Sequence, residues 1–211
     1  MNLEDLQLSL LRTIQKLCTN GLINGTSGNI SCRYKDGFLI TPSAVKYDEL
    51  KPHMFVFVSM NGNCQGDYKP SSEWRIHRDL YQAKPETNAV IHTHSTYCSV
   101  LACCHREIPP FHYMVAMAGG KKIPCSEYAT FGTEELSKNI IEAIEGYNAC
   151  IMANHGAVFA GPNLDSTYDL ALEVEQLALQ YCELLKIGGV QLVDDKEMDL
   201  ILERFKSYKS K

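Results

Sequence analysis

Short strand-like runs alternate with longer helical patterns along the whole 211-residue chain. Strands are indicated at 30–33, 37–40, 54–58, 89–95 and 149–152, and helices at 3–20, 74–81, 97–104, from Thr133 onward, at 164–185 and at 195–205. Such alternation places helices against a central sheet, so the chain is predicted to be one α/β domain spanning residues 1–211. Because the first short strands follow one another like hairpins, we expect a mixed, largely antiparallel sheet flanked by helices.

The composition argues against a nucleic-acid or membrane partner. The formal net charge is −5, and no stripe of Lys and Arg is present. No apolar run approaches the roughly 20 residues needed to span a bilayer, and the acidic start Met1–Asp5 is unlike a signal peptide. The nine cysteines show no CxxC spacing, which favours a reducing compartment. We therefore expect a cytoplasmic protein.

Two histidines one residue apart, His92 and His94, lie at the end of an apolar strand-like run. Residues i and i+2 of a strand point to the same face, with backbones about 6.6–7 Å apart. Two imidazoles at that separation can bind one metal ion. His155 follows a second apolar run and precedes Gly156, which permits an unusual turn and a close backbone approach. Three histidines with one open coordination position are typical of a catalytic zinc site.

Glu73 is the candidate for acid–base chemistry. It falls in the predicted first turn of a helix, where a carboxylate equally often only offsets the helix dipole. Ser71 and Ser72 place hydroxyls and backbone N–H groups at the same helix start. Such a helix start is a common binding site for a phosphate group. The loop 25–29 adds neutral donors, although it is not a Walker loop and such loops are commonly only turns. The other histidines are interpreted as ordinary core or surface residues: His53, His77, His105 and His112.

Seven short stretches, taken in order, carry the most specific signal. They are Gly-Thr-Ser-Gly-Asn at 25–29, Leu-Ile-Thr-Pro-Ser at 39–43, Pro-Ser-Ser-Glu-Trp at 70–74, His-Thr-His at 92–94, Ile-Pro with His-Tyr-Met within 108–114, Tyr-Ala-Thr-Phe-Gly at 128–132 and Asn-His-Gly at 154–156. Over nearly its whole length the chain resembles the class II aldolase/adducin head family, and within it most closely the L-fuculose-1-phosphate aldolases.

The resemblance implies a zinc-dependent aldolase that cleaves a ketose 1-phosphate into dihydroxyacetone phosphate and a small aldehyde such as lactaldehyde. The substrate implied is L-fuculose 1-phosphate or a related 5-deoxy-ketose 1-phosphate. The resemblance also implies a four-fold cyclic homotetramer with active sites between subunits.

The resemblance assigns roles to individual residues. The family's zinc ligands fall on His92, His94 and His155. Its catalytic carboxylate falls on Glu73, which ligates zinc in the empty enzyme and moves off when the substrate chelates the metal. Tyr113 matches a tyrosine that reaches the neighbouring subunit's site and handles the proton on the aldehyde oxygen.

Substrate-binding positions follow from the same resemblance. The phosphate positions fall on Thr26, Asn29, Ser43, Ser71 and Ser72, an aromatic residue of the pocket on Phe131, and a tyrosine of the mobile C-terminal tail on Tyr208. Two departures touch the pocket. Ala44 stands where the fuculose enzymes commonly have Gly, although its backbone N–H is kept, and Asn154 stands where another His is frequent.

Four alternative functions stay open. The nearest is an aldolase for 5-deoxyribulose or 5-methylthioribulose 1-phosphate, whose substrates differ only at the aldehyde end. A ribulose-phosphate 4-epimerase is disfavoured because the family's epimerases usually carry Asp at the position of Glu73. A dehydratase with the same zinc triad is disfavoured by the similarity over the whole chain. A non-catalytic interaction domain like the adducin head would not need three histidines and a glutamate together.

Overall fold

A mixed β-sheet runs through the middle of the molecule. The computed structural model describes residues 2–208, and of Tyr208 only the backbone. The strands are β1 (Asn29–Tyr34), β2 (Gly37–Ile40), β3 (Val56–Ser59), β4 (Cys64–Gln65), β5 (Ala89–Thr93), β6 (Cys125–Ser126), β7 (Ala149–Met152) and β8 (Gly156–Gly161). They lie in the order β4-β3-β2-β1-β5-β8-β7-β6, and neighbours are antiparallel except β6 with β7. The predicted mixed, largely antiparallel sheet is confirmed.

Helices cover both faces of this sheet. They are α1 (Leu3–Thr19), α2 (Trp74–Ala83), α3 (Thr96–Cys103), α4 (Glu134–Ala143), α5 (Leu164–Ile187) and α6 (Asp195–Tyr208), with 3₁₀ helices at Pro52–Met54 and Tyr113–Ala118. α1, α3, α5 and α6 pack on one face, and α2 and α4 pack on the other. This layered arrangement is the one predicted for the α/β class. Within residues 2–208, no helix is both long and apolar enough to cross a lipid bilayer.

The first helix follows directly from its local sequence. The Asn2 side chain accepts the backbone N–H of Asp5 at 2.8 Å, which satisfies one of the unpaired donors at a helix start. Its apolar face is buried in the core, at Leu6, Leu10, Ile14 and Leu17. The helix ends at Thr19 with Asn20 as its cap, and Gly21 continues in the left-handed region with φ 71°. The predicted end of this helix is confirmed to within one residue.

Several segments depart from the predicted pattern, among them the two-residue strands β4 and β6, which have no predicted counterpart. A strand was expected from residue 54, but Pro52 starts a 3₁₀ helix that ends at Met54, so β3 begins only at Val56. β8 has no predicted counterpart. Glycine and alanine, which disfavour strands, occupy both ends of this six-residue segment around Val158 and Phe159, and its pairing with β5 and β7 completes the strand.

Strand pairing at the centre of the sheet sets up a functional site. Asn29 on β1 lies opposite His92 on β5, and His92 lies opposite Val158 on β8. The tight turn that joins β7 to β8 contains His155, and α2 begins next to the same end of these strands. The sheet register therefore brings residues from distant parts of the chain to one place.

Candidate active site

Four side chains converge at this end of the central strands. His92 is the fourth residue of β5, His94 follows the strand's last residue, His155 lies in the β7–β8 turn, and Glu73 immediately precedes α2. The nitrogen or oxygen atoms that they offer all lie within 4.8 Å of one another. The sequence-predicted metal residues are thus found together. Glu73 sits at the N-cap position, one residue before the predicted first turn, and its side chain makes no capping hydrogen bond, so it is free to face the histidines.

The β7–β8 turn requires unusual backbone geometry. Asn154 has a φ of 53°, in the left-handed region that asparagine tolerates better than most residues. A Cβ at Gly156 would lie 2.2 Å from the carbonyl oxygen of Thr93, closer than any real contact. The close approach expected at Gly156 is therefore present, but the left-handed conformation falls on Asn154 instead. This packing holds His155 against the end of β5.

The geometry of the four side chains fits a divalent metal ion. His92 Nδ1 donates to the backbone carbonyl of Ala157 at 2.9 Å, which leaves a lone pair on its Nε2. That Nε2 lies 2.9 Å from His94 Nε2 and 3.2 Å from Glu73 Oε2. Glu73 Oε1 is buried and makes no hydrogen bond with any described residue, although His155 Nε2 lies 3.1 Å away. Lone pairs this close repel unless they share a cation, so nitrogen and carboxylate donors of this kind suit a metal such as zinc.

Burial and charge perturb the ionisation of the same groups. Burial opposes ionisation of Glu73, but the charges of His92 and His155 and their contacts with the carboxylate hold its pKa well below the usual range. Burial opposes protonation of His92, yet the Glu73 carboxylate raises the pKa of this histidine. Burial, together with His92 and His155, lowers the pKa of His94 to about 4. Strong shifts of opposite sign within a few ångströms are typical of functional sites.

A cavity of about 370 Å³ opens beside the cluster. Its wall includes the polar and aromatic positions expected to bind substrate, namely Thr26, Asn29, Ser43, Ser71, Ser72 and Phe131. Ser71 is buried and its Oγ accepts the backbone N–H of Glu73 at 3.3 Å, whereas Thr26, Ser43 and Ser72 are exposed to the cavity. Ala44 also lines the wall, with a φ of 58° in the region that favours glycine. The cavity thus combines neutral donors with the metal-type cluster.

The sequence profile of the class II aldolase and adducin N-terminal domain family matches residues 9–182. The chain belongs to this family. The 5-methylthioribulose-1-phosphate/5-deoxyribulose-1-phosphate aldolase of Rhodospirillum rubrum is 46% identical over 203 residues, covering 96% of this chain and 92% of that protein. The L-fuculose phosphate aldolase of Escherichia coli K12 is 41% identical over 209 residues, covering 99% of this chain and 97% of that protein.

The fold of this class II aldolase family member is closely similar to that of a solved structure. An L-fuculose 1-phosphate aldolase superposes with a TM-score of 0.93 at 40% identity, and the match covers 96% of each chain. The family resemblance inferred from the seven stretches is confirmed, and the α/β fold agrees with that of the family.

One predicted site residue, Tyr113, lies away from the cluster, and the side chain of another is not described. Tyr113 begins the 3₁₀ helix that packs on α6, is 52% exposed, and is not among the described residues that line the 370 Å³ cavity. It borders an apolar groove formed with Met114, Met117, Val193, Ile201 and Phe205. The side chain of Tyr208 lies outside the described part of the chain, so its expected role stays a prediction.

Two tyrosines and one histidine near the site were not predicted from the sequence. Tyr47 and Tyr128 line the cavity, and Tyr47 donates its hydroxyl to the carbonyl of Gly28 at 2.6 Å. His77, taken as an ordinary core residue, is indeed fully buried, but it contacts Asn29 beside Glu73. Its position four residues after Glu73 is the signal that was available, because residues at that spacing share one helix face.

Proposed function

We propose that this chain is a zinc-dependent aldolase that cleaves a ketose 1-phosphate into dihydroxyacetone phosphate and a small aldehyde. The observation that carries the proposal is the contact between the Glu73 carboxylate and the histidine nitrogens at the wall of a donor-lined cavity. The names of relatives that match almost the whole chain at 41–46% identity support the same reaction class.

In this proposal His92, His94, His155 and Glu73 hold the zinc ion. Three histidine nitrogens with a carboxylate that can be displaced correspond to a catalytic rather than a structural zinc site. When bound, the ion supplies Lewis-acid stabilisation of the negative charge that develops on substrate oxygens, an effect of several kcal/mol. The hydrogen bond from His92 Nδ1 to Ala157 fixes the ring orientation that this ligation needs.

The phosphate group is held by neutral donors at one end of the cavity. Thr26, Ser43 and Ser72 offer exposed hydroxyls, and Ser71 and Ser72 precede the N-terminus of α2, whose dipole favours an anion. Asn29 gives one amide hydrogen to Glu73, so its second hydrogen is available to the phosphate. A protein of net charge −5 can thus bind an anionic substrate through local donors.

Two groups move the protons. In the condensation direction the ionised Glu73 carboxylate removes a proton from C3 of dihydroxyacetone phosphate, and Tyr113 of a neighbouring subunit gives a proton to the aldehyde oxygen as the C3–C4 bond forms. Cleavage reverses both transfers: the C4 hydroxyl proton goes to Tyr113, the C3–C4 bond breaks, and Glu73 returns a proton to C3. The contacts with His92 and His155 favour the ionised form of Glu73, which is the form that can accept a proton.

The candidate substrates differ in the aldehyde that cleavage releases. Phe131, 67% exposed, and Tyr128, 55% exposed, border the open side of the cavity and would contact its apolar end. L-Fuculose 1-phosphate is the first candidate. The second is 5-deoxyribulose or 5-methylthioribulose 1-phosphate, which is favoured by the 46% identity to the Rhodospirillum rubrum aldolase.

The position of Tyr113 supports the proposed assembly. It is half-exposed beside the apolar groove and away from the cavity of its own chain, which supports a cyclic homotetramer in which each tyrosine serves a neighbouring site. Residues 1–211 would act as one domain within each subunit. The cysteine usage supports a cytoplasmic location, because the structure leaves all nine thiols free.

A substrate panel tests the proposal. The purified protein is incubated with L-fuculose, 5-deoxyribulose and 5-methylthioribulose 1-phosphates, and dihydroxyacetone phosphate is followed with a coupled dehydrogenase, with and without a chelator. We expect release from at least one substrate and loss of release after zinc removal. No release from any substrate, or release unaffected by complete zinc removal, would contradict the proposal. Interconversion of ketopentose 5-phosphates without release would instead indicate the epimerase.

The Glu73→Gln variant tests the acid–base role separately. The amide keeps an oxygen ligand and the side-chain volume but lacks the basic carboxylate, so we expect bound zinc with turnover about 10²- to 10⁴-fold lower. Zinc is measured by metal analysis and turnover by the same coupled assay. Full activity in this variant would refute the role given to Glu73.

A further inference from the structure

A continuous chain of buried side chains leads from the core to Glu73. The Tyr81 hydroxyl lies 2.7 Å from Ser31 Oγ, which lies 2.7 Å from His77 Nδ1. The other nitrogen of His77, Nε2, contacts Asn29 Oδ1, and Asn29 Nδ2 donates to Glu73 Oε2 at 2.9 Å. All five residues are at most 7% exposed. The chain links α2 to β1, and it ends on the carboxylate to which the proposed function gives the proton transfer.

Each hydrogen bond in this chain has a defined direction. A carboxylate only accepts, so Asn29 must turn its NH₂ group toward Glu73 and its Oδ1 toward His77. His77 Nε2 therefore carries a hydrogen. Complete burial keeps the imidazole neutral, so Nδ1 is an acceptor and takes the hydroxyl hydrogen of Ser31. Ser31 Oγ in turn accepts the hydroxyl hydrogen of Tyr81. Every hydrogen bond in this series is therefore donated in the same direction, from Tyr81 toward Glu73.

We propose that His77, held in this tautomer by Ser31 and Tyr81, is a positioning residue that fixes the Asn29 amide so that its NH₂ group always faces Glu73. The proposal rests on the proposed aldolase function only for its effect on turnover. Asn29 also borders the phosphate end of the cavity, so the same amide joins phosphate binding to the placement of the base. His77 itself does not line that cavity in the described part of the chain.

An asparagine amide needs such a constraint here. Without a donor at Oδ1, the amide can rotate by half a turn and present its oxygen to Glu73 Oε2. Two acceptors would then face each other in a buried site, where unpaired polar atoms are costly. The carboxylate would move or lose its only hydrogen bond from a neutral side chain among the described residues. A misplaced base lowers turnover more than it lowers substrate affinity.

The far end of the chain is rigid. The Arg33 guanidinium lies 4.8 Å from the centre of the Tyr81 ring and donates to the Tyr81 carbonyl at 2.9 Å. It also donates to the carbonyl of Thr87 at 3.0 Å. Phe38 packs against the same tyrosine ring with centroids 5.2 Å apart. The hydroxyl that starts the chain is therefore held in place from the backbone side and from the core.

Substitutions at His77 and Ser31 test the proposal. His77→Leu removes the donor to Asn29 at similar volume, and we expect kcat to fall about 10- to 100-fold, the usual cost of losing a residue that orients a metal-site ligand. KM for the ketose phosphate should change much less than kcat, because Thr26, Ser43 and Ser72 still offer their hydroxyls to the phosphate when the Asn29 amide turns. Ser31→Ala should show a smaller loss in the same direction. His77→Gln keeps a donor and an acceptor, so it should recover most of kcat.

A matched control separates positioning from general destabilisation. Ser137 on α4 is also fully buried, and its hydroxyl donates to Asp79 Oδ2 at 2.6 Å without any link to Glu73. Ser137→Ala should lower stability to a similar extent as Ser31→Ala while leaving kcat unchanged. Equal kcat losses in the two serine variants, a loss confined to KM, or no recovery in His77→Gln would each overturn the proposal.

The tautomer can be measured without any activity. In ¹⁵N-labelled protein at neutral pH, the imidazole of His77 should show a protonated Nε2 and an unprotonated Nδ1, and one Asn29 side-chain hydrogen should be strongly protected from exchange. In Ser31→Ala the Nδ1 shift should change. A protonated Nδ1 in the wild type would overturn the proposal. An inactive wild type with the expected tautomer would instead refute the aldolase function and leave the hydrogen-bond chain intact.

Discussion

The carboxylate of Glu175 on α5 accepts the hydroxyl hydrogen of Ser95 at 2.7 Å. Ser95 is the residue that follows His94. The same carboxylate accepts the backbone N–H groups of Tyr97 and Cys98 at 2.8 and 3.0 Å. The first donors of a helix have no partner within it, and the side chain of Ser95 does not cap α3. Glu175 therefore caps α3 from another helix, and it ties the end of β5, where the metal-type histidines lie, to α5.

This cap gives the first prediction. Glu175→Ala leaves two backbone donors and one hydroxyl without their charged acceptor, so we expect the free energy of unfolding to fall by about 2–3 kcal/mol. The measurement is urea denaturation followed by circular dichroism. Glu183→Ala on the same helix is the control, because its ion pair with Lys186 is on the surface and its loss should cost under about 0.5 kcal/mol. Equal losses in the two variants would contradict the capping role.

Removal of metal gives the second prediction. An ion that binds only the folded protein stabilises it by about 2.7 kcal/mol when free metal is a hundredfold above its dissociation constant. Dialysis against a chelator should therefore lower Tm by about 5–10 °C for a chain of this size, and added zinc should restore it. The response should be lost in His92→Ala and kept in His112→Ala, since His112 is outside the cluster. A chelator effect of equal size in His92→Ala would rule out the four-residue site.

Part of this site could be read from the sequence because it is local. His92 and His94 share a strand face through simple alternation, and Glu73 with its serines marks a helix start. The position of His155 beside them depends on the register of β5 with β8, and β8 has too little strand propensity to be predicted. Its place in the site was inferred from the apolar run before it and the glycine after it, and then from resemblance to a family; the structure supplies the geometry.

The hydrogen-bond chain that ends on Glu73 could not be predicted from the sequence, for a similar reason. Ser31 and Asn29 lie on one face of β1, and His77 lies on α2 nearly fifty positions later in the chain. Whether they meet depends on how α2 packs on the sheet. A lone histidine in an apolar helix pattern is equally consistent with an ordinary core residue that has no role in the site. Only the packed structure shows that its two nitrogens have different partners.

Buried His77 also predicts a dependence of stability on pH. Burial, with a smaller effect of His92, lowers the pKa of His77 to about 3 in the folded protein. The ordinary value in the unfolded chain is about 6.5, so between these values the unfolded state binds a proton that the folded state excludes. Stability therefore falls as the pH drops below about 6.5, by about 2 kcal/mol from this group between pH 7 and pH 5.

The comparison of wild type with His77→Gln isolates this effect, because all other titrating groups are shared. Unfolding free energies from urea denaturation at pH 7 and pH 5 should show the stability advantage of the wild type shrinking by about 2 kcal/mol at the lower pH. An advantage that stays constant across this range would mean that His77 takes up its proton equally well in the folded and unfolded states.

Sharing of sites between subunits gives the last prediction. If Tyr113 serves the neighbouring site, a Glu73→Gln subunit keeps a working tyrosine and a Tyr113→Phe subunit keeps a working carboxylate. In a mixed ring assembled at random from equal amounts, a site has both intact groups about one time in four, so activity should recover to about a quarter of wild type. Each variant alone should have far lower activity, and mixing them without subunit exchange is the control. No recovery in assembled mixtures would place both residues in one subunit's site, and full activity of Tyr113→Phe alone would assign Tyr113 no part in turnover.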